Sequence, residues 1–117
     1  MLDPTRTADL LAAHFPGLAP ALHAPATYPS VHRQLACFAA YTRAAATADA
    51  LLRLQRCFAV ADRLRNDGDT ALAAAIESGY LHCLHLDGTA RGNQLARQLM
   101  PSRLYSAYAH QHYAPLP

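Results

Sequence analysis

With 117 residues, 52% of them hydrophobic and 15% charged, the chain is sized for one domain that buries about two thirds of its unfolded surface without metal or disulfide staples. A net charge of +2, from ten arginines and no lysine against seven aspartates and one glutamate, excludes the broad basic footprint of a nucleic-acid binder. No run of about eighteen apolar residues occurs and no basic, apolar leader opens the chain, which argues against a membrane span and for a cytoplasmic protein.

Alanine supplies 26 residues and β-branched residues are scarce, so the composition predicts close-packed helices rather than sheet. A first helix is expected from Thr5 to Phe15, capped by Thr5 or Thr7 and anchored by Leu10, Leu11 and Phe15, with Pro16-Gly17 stopping it. Pro20, Pro25 and Pro29 then forbid a long helix, so residues 16–30 read as an irregular connection over the surface holding one short turn.

Ser30 is a good N-cap for a helix to about Ala46, with Val31, Leu35, Phe38, Tyr41 and Ala45 at helical spacing. Thr47 is the expected cap of a third helix to Arg65. In it Leu51, Leu54, Cys57, Phe58, Ala61 and Leu64 share a face, and Arg53, Arg56 and Arg63 lie opposite them. The short connection makes these two helices an antiparallel hairpin.

After the turn Asn66-Asp67-Gly68-Asp69 comes the most continuous helix signal, Asp69 to Leu86. At about 100° per residue, Leu72, Ile76, Gly79, Cys83 and Leu86 fall on one side, flanked by Ala75 and Tyr80, while Leu81 and Leu84 extend apolar character toward the back. This helix is expected at the centre, ending at Asp87-Gly88. A weaker helix follows from Ala90 to Met100, then a last one from Pro101-Ser102 carrying Leu104, Tyr105, Tyr108 and His112 on one face. Residues 114–117 read as a short flexible tail. The expected architecture is an all-α, single-domain bundle of five or six helices, spanning residues 1–117, around a central buried helix at Asp69-Leu86.

Among groups that carry chemistry, His82 and His85 stand one turn apart and could share a transition metal, but two ligands do not make a site. Cys37, Cys57 and Cys83 lie on or beside the apolar faces of three consecutive helices; a thiolate cluster is one reading and core packing the default. Ser78 precedes His82 by one turn without a visible third member of a catalytic set. The loop LDGTARG lacks phosphate-loop spacing and reads as a helix connection. Asp49 stands four residues before Arg53, the favoured order for a surface ion pair.

The stretch CFAVADRLRNDGDTALAAAIESGYLHCLHLDG, from Cys57 to Gly88, resembles a segment of short bacterial proteins known only as a domain of unknown function. There a helix precedes an acidic glycine turn and a second helix has apolar residues spaced as Ala75-Ile76 and Tyr80-Leu81. The resemblance implies an all-helical fold and, by association, an immunity or accessory role beside toxins.

The leading functional expectation is a non-enzymatic interaction or accessory module, without a cofactor, contacting a protein partner or a second copy and neither nucleic acid nor membrane. Its contacts would be the Arg53, Arg56 and Arg63 stripe, joined by Arg33 or Arg43, or the Tyr105 and Tyr108 helix. The alternative is a small metal- or ligand-binding protein using His82 and His85.

Overall fold

The computed structural model describes residues 4–67, 70–84 and 90–113. It is an all-α bundle, with no strand among the described residues, and its Cα radius of gyration of 13.4 Å is that of a close-packed domain of this length, about 13 Å. Helix α1 spans Pro4–His14, a 3-10 turn Pro16–Leu18, α2 Ala19–Leu22, α3 Val31–Thr47 and α4 Leu51–Asp67. The central element combines α5 Thr70–Ala75, a π-helical segment Ile76–Leu81 and α6 His82–Leu84; α7 Ala90–Leu99 and α8 Ser102–Tyr113 complete the chain.

Pro4 opens α1, so Thr5 and Thr7 lie inside the helix instead of capping it, and proline is tolerated at this position because its missing N–H would be unpaired anyway. The Pro-rich connection is mostly exposed and is held to the bundle at two points. Leu18 and Leu22 are buried, and the start of α3 ties down the turns that follow. Arg33 Nη1 donates to the Ala26 carbonyl at 2.8 Å and Gln34 Nε2 to the Tyr28 carbonyl at 2.7 Å, so two carbonyls of these turns find their donors in side chains of α3. Ser30 caps α3 as expected, accepting from the Arg33 amide at 3.3 Å.

The junction of α3 and α4 differs from the expectation. Thr47 ends α3 instead of capping α4, and the reversal is made at Asp49, whose φ is +58°. The Ala50 amide bonds the Ala45 carbonyl at 2.9 Å and the Asp49 amide the Ala46 carbonyl at 3.2 Å, the paired bonds of a Schellman turn with aspartate where glycine is usual. The Asp49 carboxylate accepts from Arg91 Nη2 at 3.0 Å, which pins the first turn of α7 to this corner, so its expected partner Arg53 is left for other contacts.

The central helix is buried as expected, but it is not a uniform α-helix. Each i→i+5 turn of the π segment takes in one residue more than an α turn, so the buried face moves one position along the chain. Ile76, Gly79, Tyr80, Leu81 and Leu84 are buried, while Cys83, expected to face inward, is only half-buried, as is Leu72. Gly79 lies directly against α3: a Cβ there would stand 3.4 Å from Leu35 Cβ and 3.6 Å from the His32 carbonyl oxygen, in ordinary contact. Downstream, Arg43 Nη1 donates at 2.7 Å to the Cys83 carbonyl, closing the last turn of the helix with a cation where the helix dipole favours one. The Asn66 to Asp69 turn, beyond its first two residues, and the Asp87-Gly88 stop lie outside the described residues.

Candidate functional site

Two constellations rise from this framework, joined by a row of rings. Phe38 stacks on Tyr80 at 4.6 Å between centroids, Phe15 meets Phe38 at 5.4 Å, and Tyr41 meets Phe15 at 5.4 Å. The row starts in the core and ends at the surface because Phe15 enters from the end of α1 and Tyr41 sits on the half-exposed flank of α3.

At the inner end, the Thr42 hydroxyl donates to the Phe38 carbonyl at 2.9 Å, so its one proton is committed and the Tyr80 hydroxyl, 3.0 Å away, is the donor between the two side chains. Both are fully buried. Burial drives the Tyr80 phenol well above its ordinary range. Cys57 of α4 joins them: burial pushes its thiol up to about 11, against the weaker pull of Thr42 and of the Arg53 and Arg56 charges. A thiol held protonated is a poor nucleophile and a poor metal ligand, so Cys57 serves here as a small core residue with a polar contact. Cys37 and Cys83 are half-buried, and all three cysteines are free thiols.

At the outer end, the Arg53 guanidinium lies over the Tyr41 ring at 5.8 Å and that of Arg56 over the Phe15 ring at 5.9 Å. Both side chains are exposed, and neither has a carboxylate partner among the described residues. Among the described residues, Asp49 is engaged with Arg91, Asp9 with His23 at 3.7 Å, and the partly exposed Glu77 with Arg65 at 3.4 Å. Each ring contact is worth about 0.5–1 kcal/mol at an exposed site, and its larger consequence is to hold a long side chain in one place.

Helical spacing sets the rest of this face. Leu52, Arg56, Ala59 and Arg63 recur at i, i+4, i+7 and i+11, one stripe along α4, and all four are exposed. Leu52 is 84% exposed and its neighbour Leu51 43%, the two large apolar side chains that the described surface leaves open. Arg53 flanks the stripe on the side of Tyr41. Asp62, half-buried, lies on the other flank, about 120° from Arg56 around the helix.

Of the residues expected to act, Arg53, Arg56 and Arg63 thus occupy one exposed side of α4. Arg33 and Arg43 do not extend it, since each is spent on a backbone carbonyl. Tyr108 is fully buried and Tyr105 half-buried, their rings 6.5 Å apart, because α8 packs its Leu104, Ala107 and Tyr108 side onto the bundle; Tyr108 is a core residue and not a contact surface. His82 is exposed on α6, while His85 lies outside the described residues, and no group of three metal-ligating side chains occurs among the described residues. The Ser78 hydroxyl donates to the Ala74 carbonyl at 3.0 Å rather than to His82, so the two do not form a nucleophile and base. Sequence reasoning passed over Leu52, although an apolar residue four positions before Arg56 on a polar stripe was a readable signal, and it placed Phe15 and Tyr41 only as packing.

A family model for a domain of unknown function, DUF7674, matches residues 8–114. The chain belongs to the DUF7674 family. The match takes in all of α3, α4 and the central helix, and so the whole aromatic row and both of its ends; the DUF7674 domain here is the bundle itself. No curated protein and no solved structure matches the chain. No described helix is long and apolar enough to cross a membrane.

Proposed function

We propose that this DUF7674 protein is a non-enzymatic interaction module of the cytoplasm that docks a protein partner on the outer face of α4. One observation carries the reading. Arg53 and Arg56 are braced on aromatic rings, beside an 84% exposed Leu52, with no carboxylate partner among the described residues. Protein interfaces are enriched in arginine and aromatic residues around an apolar centre, and side chains already held in place lose less freedom on binding. The inner network supports the non-enzymatic part of the reading, because its titratable groups are buried and held in their neutral forms.

The test is a photo-activated cross-linking residue at position 52, compared in the source cells with one at exposed Ser106 on α8. A discrete protein adduct from position 52 that is lost in Arg53→Glu with Arg56→Glu is expected. Equal adducts from both positions, or none from position 52, would count against this surface.

A further inference from the structure

The braced pair on α4 also specifies the chemistry of what it holds, an inference that rests on the interaction reading above. Arg53 and Arg56 leave one helix three residues apart, about 4.5 Å along its axis. Their guanidinium groups lie over Tyr41 and Phe15, and the centroids of those two rings are 5.4 Å apart. Two positive charges are thus held on neighbouring rings at the surface, with no carboxylate partner among the described residues. The helix adds to their field, because the first turn of α4 holds no acidic residue and the Asp49 carboxylate just ahead of it is paired with Arg91.

A carboxylate brings one negative charge, whereas a phosphate monoester brings about −1.5 to −2 near pH 7 and three acceptor oxygens, enough to meet two guanidinium forks at once. Arginine suits that anion, since its planar fork pairs with phosphate oxygens through two parallel N–H bonds. We propose that Arg53 and Arg56 clasp one phosphate monoester, borne on a phosphorylated segment of the protein partner. The Tyr41 and Phe15 rings act by positioning: side chains already resting on them lose less freedom when the anion arrives. Exposed Leu52, one turn before Arg56, selects among the sources of phosphate. A peptide can carry an apolar residue beside its phosphate to cover Leu52, and a free phosphate ion cannot.

Isotope-labelled full-length protein is titrated with phenyl phosphate, phenyl sulfate and inorganic phosphate, following the Nε–H resonances of its arginines. Phenyl sulfate keeps the shape of the phosphate ester with a single charge. The Arg53 and Arg56 resonances should move together and saturate with phenyl phosphate, and phenyl sulfate should bind at least about tenfold more weakly at about pH 7.5. That advantage should vanish below about pH 6, where the phosphate ester loses its second charge. Arg53→Gln and Arg56→Gln should each cost about tenfold in affinity. Arg97→Gln, which removes an equal charge from the exposed side of α7, should change it by no more than about twofold. The source is then read with peptide libraries holding a central phosphoserine or serine between randomised flanks, and with phosphatidic acid vesicles. The phosphoserine library should be retained at least about tenfold over the serine one, with apolar residues enriched near the phosphate, and Leu52→Asp should abolish that enrichment. Circular dichroism and melting of each variant show whether its fold is intact.

Equal binding of phenyl phosphate and phenyl sulfate, or movement of only one of the two arginine resonances, would overturn the clasp. Vesicles bound through the same arginines without retention of the phosphoserine library, or a library retained with no enrichment beside the phosphate, would overturn the peptide source. If position 52 still cross-links a protein after phosphatase treatment of the cell extract, the interaction face survives and its phosphate preference falls. If the cross-link is absent without that treatment, both fall.

Discussion

At one end of the aromatic row Tyr80, Thr42 and Cys57 meet inside the bundle; at the other Arg53 and Arg56 lie over Tyr41 and Phe15 at its surface. Both ends combine rings with polar groups, yet they differ in where the polar groups find their partners. Inside, the tyrosine hydroxyl donates to Thr42 and the threonine to a backbone carbonyl, so the cluster stabilises only the chain that contains it. Outside, the Arg53 and Arg56 guanidinium groups lie exposed over rings, without a carboxylate partner among the described residues. A polar group whose bonds are completed within the molecule speaks for folding, and one that is held in place but left incomplete speaks for recognition.

The strongest way to break that division is at the inner end. Tyr80→Ala removes a fully buried ring stacked on Phe38, and the cavity and lost packing should cost about 3–5 kcal/mol, read as a lower urea midpoint. Tyr80→Phe should cost only about 1 kcal/mol, since Thr42 keeps its bond to Phe38 and loses a single donor. A large loss of partner capture in Tyr80→Phe with stability held would place Tyr80 on the recognition side and end the distinction.

Next in size is Gly79. Gly79→Leu should cost about 1–3 kcal/mol by forcing the π segment away from Leu35, whereas Gly79→Ala should fold nearly unchanged because its Cβ meets only ordinary contact. Thermal melts of the pair separate a close approach from a mere preference for glycine.

Alkaline unfolding sharpens the comparison further. The Cys57 thiol has its pKa raised from 9.0 to about 11 in the folded state, so the folded chain keeps a proton that the unfolded chain gives up first. Its contribution to stability is whole below pH 9 and declines as pH rises toward about 11; the buried Tyr80 phenol, raised well above 10.0, adds to the decline from about pH 10 upward. Cys57→Ser should flatten the first part of that decline and Tyr80→Phe the second, measured by urea unfolding across the range. A profile unchanged in both variants would show that the inner network does not carry the pH dependence.

The smallest effect on stability belongs to the outer end. Arg53→Ala and Arg56→Ala should each cost no more than about 1 kcal/mol of fold while removing partner capture. Equal losses of fold and capture would return these arginines to a structural role.

Much of the bundle could be read from the chain. The Ser30 cap, the hairpin of α3 and α4 and the burial of the central helix follow from local chemistry and spacing at 3.6 residues per turn. Misplacements came where a local rule met a distant partner. Thr47 looked like a cap because no glycine marked the turn, but Asp49 takes the left-handed position and is held by Arg91, 42 residues away. Arg43 looked free because the carbonyl it reaches is 40 residues on. Cys83 and Leu84 exchanged places because a wheel of uniform period has no room for a π turn. On the α4 face the arginines were visible as a stripe, whereas the rings beneath them, supplied by α1 and α3, depend on how three helices pack.

The widened turn at Ile76–Leu81 makes chain length itself a structural variable here. An α-helix of the same sequence one residue shorter would reach the same end point with its later side chains in step. Deleting exposed Ser78 should therefore be tolerated far better than deleting a residue from α3 or α4, where no surplus turn exists to absorb the loss. Insertions and deletions along the family are expected to gather in this one segment of the core, an unusual place for length to change, while helices α3 and α4 keep theirs.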